Sequence, residues 1–515
     1  MPTEHLEVER KYDVAAAGGE LPDLTGVPGV AGVSPVDEVH QSATYVDTED
    51  LALLTARITL RRRIGGVDDG WHLKLPAGDR AREEVHADIA DPSDPDEAVP
   101  GELADRVRAI VRDHPVGPVA VLRTRRRIQR LLGPAGEVLA ELCDDRVEAS
   151  TLVGTPRTEQ WREWELELVD GPPELLDDAE PALLAAGAVP SASASKVGRV
   201  LAQSAPARGA WRFAEQVGAT ASTGEVLLAY LAEHLQRLET EDRRLRAGDQ
   251  EGVHQLRIAA RRLRSALAAY AVVLEPSETR ALREELRWLG QVLAPARDAQ
   301  VIRERLGGLV DGQSDVLVLG PVLRRIDDDL RAAFRSGREA ADEQLGGARY
   351  FRLLDRMEAF LDDPPLLEDA TRPARELVPD LLRRDLKRVR RRHRAYLAAD
   401  SSDRRDRALH DIRKAAKRLR YSAEIAVPVL GDRAADLVAR AKAAQQVLGE
   451  HQDTVVARQT LRDLGVRAHL GGENGFTFGR LHALEESHAA DLVRRYLEVW
   501  AELPGPSGLR SWLRG

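Results

Sequence analysis

Cysteine is almost missing from this sequence: Cys143 is the single one among 515 residues. No intrachain disulfide can form, which fits a reducing compartment, and a buried apolar thiol is the expected role of Cys143. Long apolar runs are missing too. No stretch approaches the ~18 residues of a membrane helix, and the segment from Met1 to Val14 is too charged for a signal peptide, so a cytoplasmic protein with no membrane partner is expected. There is no GxxxxGK[ST] phosphate loop. His40, His72, His86 and His114 have no metal-ligand spacing and are expected to be surface or structural histidines. The formal net charge of −10 argues against a nucleic-acid coat, so the 75 Lys and Arg residues must be concentrated locally if they bind an anion.

What is present has two textures. Up to about residue 204, short β-prone stretches such as "LEVERKY", "RITLRRRI", "GWHLKLP" and "WREWELELV" alternate with Gly, Pro and Asp. This predicts an antiparallel β-barrel or tunnel with a few helices for residues 1–204. Residues 205–217 read as a linker. From 218 to 515 the segments are long, rich in Ala, Leu, Arg and Glu, and helically periodic, which predicts an all-α bundle. At this length two or three domains are expected, each large enough to bury a core.

The strands carry paired charges at a spacing of two, which places each pair on one face. Glu7, Glu9 and Lys11 open the chain; Arg61 and Arg63, Arg125 and Arg127, and Glu165 and Glu167 come after them, with Lys74 alone between Leu73 and Leu75. A solvated sheet face explains any one pair. It explains four such strands less well, because solvent faces mix signs within a strand. If the sheet closes with this face inward, the lumen calls for a polyanion and a hard divalent cation: Mg²⁺ or Mn²⁺ suits carboxylates and phosphates, and Arg and Lys match phosphate oxygens.

Glu7-Val8-Glu9-Arg10-Lys11, "ATYVDTEDLALL" and "SASKVGRVL" with Lys196 resemble the CYTH domain, the triphosphate tunnel metalloenzymes, over roughly residues 3 to 202. The resemblance implies that Glu7, Glu9, Glu165 and Glu167 hold metal together with Asp144. It implies that Arg61, Arg63, Lys74, Arg125 and Arg127 grip the triphosphate, and that Lys11, Lys196 and Glu141 act in catalysis; roles for Arg82 and Glu84 stay open. The activity implied is in-line hydrolysis of a triphosphate, with inorganic tripolyphosphate favoured. Cyclisation of ATP in a similar tunnel and a non-catalytic polyphosphate-binding scaffold are the alternatives.

The helical half contains an internal duplication. "VHQLRIAARRLRSA" and "LHDIRKAAKRLRYS" share a His and basic residues at +3, +7 and +10, and the later segments "QVLAPARDAQV" and "QVLGEHQDTVV" match as well. At about 100° per residue these positions share one helix face: His254, Arg257, Arg261 and Arg264 in the first copy, His410, Arg413, Lys417 and Arg420 in the second. Arg262 and Arg418 flank them. A solvated basic stripe is the bland alternative. This half resembles the CHAD domain, the conserved histidine α-helical domain, across roughly 218 to 513. That implies inorganic polyphosphate as partner of the two stripes, with Lys387, Arg391 and His393 as further candidates; Asp298 and Asp453 are left to orient a basic neighbour.

Overall fold

A computed structural model describes residues 3–505 apart from 16–19, 67, 78–80, 92–93, 95–96, 205–208, 214–216 and 250. Parts of the expected linker and the last ten residues therefore lie outside the described residues. The chain divides into two compact units, 1–209 and 210–515. Among the described residues no helix is long and apolar enough to cross a membrane.

The first unit is a closed antiparallel barrel. Its strands are β1 (Thr3–Val14), β2 (Gly32–Val33), β3 (Asp37–Asp47), β4 (Thr59–Ile64), β5 (Gly70–Pro76), β6 (Ala81–Ala87), β7 (Gly117–Leu132), β8 (Val138–Thr151), β9 (Thr158–Leu168) and β10 (Val189–Pro190). Around the barrel the order is β1, β6, β5, β4, β3, β7, β8, β9. The opening strand closes the ring by dividing its length: Thr3 to Val8 pair with β6, and Glu9 to Val14 pair with β9. Closure removes free edges, and period-two alternation then sends one residue set inward and the other outward.

The barrel's apolar core lies mostly outside the ring. Leu60, Leu73, Leu75 and Val85 pack against Leu103, Val107 and Ile110 of the short helices α2 (Gly101–Arg106) and α3 (Arg108–Val111), beside Leu53 of α1 (Ala52–Thr55). Tyr12, Leu142, Trp164 and Leu166 pack against α4 (Glu174–Ala185). Each such fully buried aliphatic side chain contributes roughly 1.5–3 kcal/mol. Burying the outer face under helices frees the inner face for charge. One part of the inner face is apolar: Ala43, Tyr45, Leu122, Val147 and Trp161 meet Val197, Val200 and Leu201 of α5 (Lys196–Leu201), whose N-cap is Ser195.

The second unit is helical: α6 (Thr223–Arg246), α7 (Gly252–Ala269), α8 (Pro276–Val292), α9 (Ala294–Asp311), α10 (Val322–Leu345), α11 (Ala348–Asp362), α12 (Ala374–Leu397), α13 (Ser402–Leu430), α14 (Asp432–Leu470) and α15 (Phe476–Ala501). A Ser222–Glu225 capping box starts α6. The duplication appears as α7 and α13, which touch through Tyr270 and Ser422. The helices after these two differ for one identifiable reason. Pro295 sits in the first turn of α9, so the first copy breaks into α8 and α9, whereas Glu450 in the matching place lets α14 run on for 39 residues. Residues 210–213 of the expected linker form a 3-10 turn, and Arg212 pairs with Glu239 and Glu358.

Candidate functional sites

The barrel encloses a cavity of about 410 Å³ lined mostly by charged side chains. Glu7, Glu9 and Lys11 of β1, Arg61 and Arg63 of β4, Lys74 of β5, Glu141 of β8, Glu165 and Glu167 of β9, and Lys196 of α5 all line it. The structure does not bring Arg125, Arg127 or Asp144 there, which corrects the sequence expectation for all three. Leu122, Thr124, Arg126 and Ile128 are the inward residues of β7. Arg125 therefore points out, to Glu38 at 2.8 Å, and Arg127 lies 3.5 Å from Asp144. On β8 the inward acid is Asp145, paired in register with Arg126; Asp144 is buried on the outer side against Arg162 at 2.7 Å.

The missed residues had a partial signal. Glu141 and Asp144 are three apart and cannot share a strand face, whereas Glu141 and Asp145 can. For β7 the arginine-richer phase was the solvent phase, and nothing local announces that. Glu163 and Glu84 also line or border the lumen. Cys143 is buried as expected, between Ile128 and Glu165 in register. His72 is structural, its Nδ1 2.8 Å from Glu84 and its Nε2 3.0 Å from the Asp68 carbonyl. Burial, ahead of the pull of Glu84, lowers its pKa to about 4.

Two acidic groups of different character share this lumen. Asp145, Glu163 and Glu165 are clustered, but Lys196 Nζ sits among them at 3.0, 2.6 and 2.6 Å. Glu165 also receives Lys11 at 2.6 Å and Arg126 at 2.5 Å. Burial would raise Glu165, yet Lys11, Lys196 and Arg126 hold its carboxyl well below the usual range. Glu165, expected as a metal ligand, shares its cluster with Asp145 and Glu163, and its oxygens are held by Lys11, Lys196 and Arg126. Burial likewise would lower Lys11, and Glu165 and Glu9 outweigh it.

The second group is Glu7, Glu9 and Glu167, whose carboxylate oxygens lie within 4.8 Å of one another. Lys74 reaches Glu7 at 2.6 Å and Lys11 reaches Glu9 at 2.9 Å. Among the described residues Glu167 has no hydrogen-bond or ion-pair partner. Burial, then Glu7, push its pKa up to about 7. Three oxygens converging with surplus negative charge suit a hard cation such as Mg²⁺ or Mn²⁺. Facing them, Arg61 donates to the Tyr45 hydroxyl at 3.2 Å, Arg63 pairs with Asp68, and Arg126 holds Asp145.

In the helical unit the two stripes meet. Arg261 Nε donates to the Tyr421 hydroxyl at 2.9 Å, so α7 and α13 present their basic faces to a common groove. Burial, then Arg261 and Arg413, lower the Lys417 ammonium to about 6. Arg413 is lowered by burial despite Asp453, and Arg264 by burial and then Arg287 and Arg261. The pseudo-symmetry extends to the neighbours. Arg257 pairs with Asp298 at 2.7 Å, and Arg413 is faced by Asp453. The charge neighbour of His254 is Arg297, while His410 bonds Gln452 at the matching place. Arg420 is held by Glu424 at 3.2 Å, Arg418 by Asp385 at 2.6 Å and Arg262 by Glu424 at 3.5 Å. Lys387 and Arg391 line a separate shallow cleft on α12. His393 lines the same cleft but is largely buried, stacked on Trp500 at 3.8 Å with Nδ1 2.8 Å from the Tyr496 hydroxyl.

Comparison with known proteins agrees with both architectures. The CYTH domain family model matches residues 5–200, and the CHAD domain family model matches 229–462. Two Mycobacterium tuberculosis sequences, uncharacterized protein Rv2226 and uncharacterized protein MT2285, are each 38% identical over 97% of this chain and 96% of their own length. Among solved structures, PptA from Streptomyces chartreusis is 21% identical, covering 55% of this chain and all of its own, with a TM-score of 0.46. The CHAD domain from the plant Ricinus communis is 23% identical, covering 59% of this chain and 95% of its own, with a TM-score of 0.40.

Proposed function

This chain belongs to the proteins in which a CYTH domain is followed by a CHAD domain, and from that premise we propose that the lumen hydrolyses a short triphosphate, inorganic tripolyphosphate foremost, while the groove between α7 and α13 binds inorganic polyphosphate. The observation that carries the first half is the grouping of Glu7, Glu9 and Glu167, with no cation paired to Glu167 among the described residues, opposite Arg61, Arg63 and Arg126. Glu7, Glu9 and Glu167 would hold the Mg²⁺ or Mn²⁺. When bound there, a divalent cation polarises phosphate oxygens and lowers the pKa of bound water. The chain's own cations do the rest. Arg61, Arg63 and Arg126 bind the phosphate chain and stabilise the charge that grows on the leaving phosphate. Lys11 and Lys196 act with them, fixed by Glu165 so that no reorganisation is needed at the moment of reaction. Glu141 at 2.9 Å from Arg130 borders the cavity.

The second half rests on the crowding of Arg257 and Arg261 against Arg413 and Lys417, the last two of which burial and this crowding lower, so that they gain from a polyanion. The test is product analysis with Mg²⁺ or Mn²⁺ on tripolyphosphate, thiamine triphosphate and ATP. Orthophosphate and pyrophosphate released from tripolyphosphate, lost in Glu7→Gln and Glu167→Gln, support the reading. Cyclic nucleotide from ATP would replace it with a cyclase, and no turnover of any substrate would replace it with a scaffold.

A further inference from the structure

A second cavity, an open-sided one in the helical unit, lies outside the phosphate sites proposed above. It measures about 780 Å³, the size of a small-molecule site, and is walled by α6, α7, α13, α14 and the 210–213 turn. Ile425 and Pro428 supply apolar surface, and Tyr230, His234, Arg262 and Glu424 supply polar atoms.

His234 is the unusual feature. It is only 1% exposed, on the face of α6 that also carries Leu227, Leu231, Leu235 and Leu238, yet neither ring nitrogen has a hydrogen-bond partner among the described residues. Glu233 is 3.9 Å away, beyond hydrogen-bond reach, and Tyr230 offers only its ring, edge to face at 4.1 Å. A leucine would satisfy a core position there. A buried imidazole with both nitrogens open instead presents one donor and one acceptor to whatever fills the space. Burial lowers its pKa to about 3, so it stays neutral.

Two more donors lack acceptors at this cavity among the described residues: Trp211 Nε1 and Arg262 Nε. The acid of the site is already occupied, since Glu424 takes the Tyr230 hydroxyl at 3.1 Å and Arg420 at 3.2 Å. Arg262 holds Glu424 only loosely, at 3.5 Å, so it can turn toward a ligand without leaving Glu424 unpaired. The surplus is therefore of donors, one of them cationic, around apolar walls.

We propose that this cavity binds a small organic acid, with an apolar ring-sized body against Ile425 and Pro428 and an acceptor head taken by His234, Trp211 and Arg262. The probes are 1-anilinonaphthalene-8-sulfonate and 2-naphthoate, both apolar rings with an acidic head, on the full chain. Saturable fluorescence enhancement at one site is expected, undisturbed by excess polyphosphate. Ala229→Trp, which fills the cavity from α6, should weaken both probes by about tenfold or more while polyphosphate binding and the thermal midpoint hold. Should that variant not fold, His234→Phe keeps the ring and removes both nitrogens, and 2-naphthoate should then bind several-fold more weakly. Absence of saturable binding, displacement of the probe by polyphosphate, or unchanged affinity in folded variants would overturn the proposal.

Discussion

The barrel lumen and the helical groove both collect lysines and arginines, and they treat them in opposite ways. In the lumen each interior ammonium is matched: Lys196 touches three carboxylates and Lys11 two, and both are held above the ordinary lysine range. In the groove Lys417 is pulled down to about 6 by burial and then by Arg261, Arg413, Arg257 and Arg420, with Asp453 as the acid nearby. The lumen is a preassembled cage whose surplus charge is the negative cluster of Glu7, Glu9 and Glu167. The groove is a positive surface whose acids, Asp298, Asp453 and Glu424, only partly offset its cations. One arrangement suits chemistry on a fixed substrate, the other capture of a long anion of any register.

The sharpest way to break this contrast is to make the same substitution in both places. Lys196→Met should leave Asp145, Glu163 and Glu165 buried without their central cation, lowering stability by roughly 3–5 kcal/mol. Lys417→Met should do the reverse and raise the stability of the helical unit by roughly 1 kcal/mol, because it removes an amine that must give up its proton to be buried among like charges. Calorimetric melting of the full chain reads both. If the two variants shift the same way, the groove lysine is paired after all.

Next in size is the salt response of polyphosphate binding. Changing Arg257, Arg261, Arg413 and Lys417 together to Gln should reduce the slope of log affinity against log salt by about 0.7 for each lost phosphate contact. Tripolyphosphate turnover should stay nearly unchanged, since the lumen carries its own charges. Turnover lost in a folded variant would mean one composite site.

A pH titration sharpens the same point with a smaller effect. Lys417 is near 6 in the native state and 10.5 ordinarily, so between those values the unfolded chain binds one more proton than the native one. Its contribution therefore makes stability rise with pH across that window. A bound polyanion restores the proton, so affinity should weaken as pH climbs above about 6, by up to one proton per site. Titration calorimetry in buffers of different ionisation enthalpy should detect the uptake, and Lys417→Met should lose it.

The smallest effect is expected at Arg125. Facing out toward Glu38, Arg125→Gln should leave turnover within about twofold, while Arg126→Gln, one residue on, should cost on the order of a hundredfold. Equal losses at both positions would refute the inward assignment of Arg126.

The alternation of "LEVERKY" and "EWELEL" by itself determined a charged strand face, and the repeated His-x-x-Arg pattern by itself determined two basic helix stripes, because both periods are properties of the backbone. The break at Pro295 was equally local. Which phase of "RTRRR" faces the lumen was not local: outward arginines find Glu38, Asp144 and Glu148 across neighbouring strands, and only strand register decides that. Register likewise exchanged Asp144 for Asp145. The division of the acids into a cation-filled cluster and an open one was settled by where α5 inserts Lys196, a contact between residues far apart in the chain. Likewise, only the packing of α6 against α7 and α13 left His234 with nothing to bond among the described residues, since a histidine on an apolar helix face reads in sequence as ordinary core.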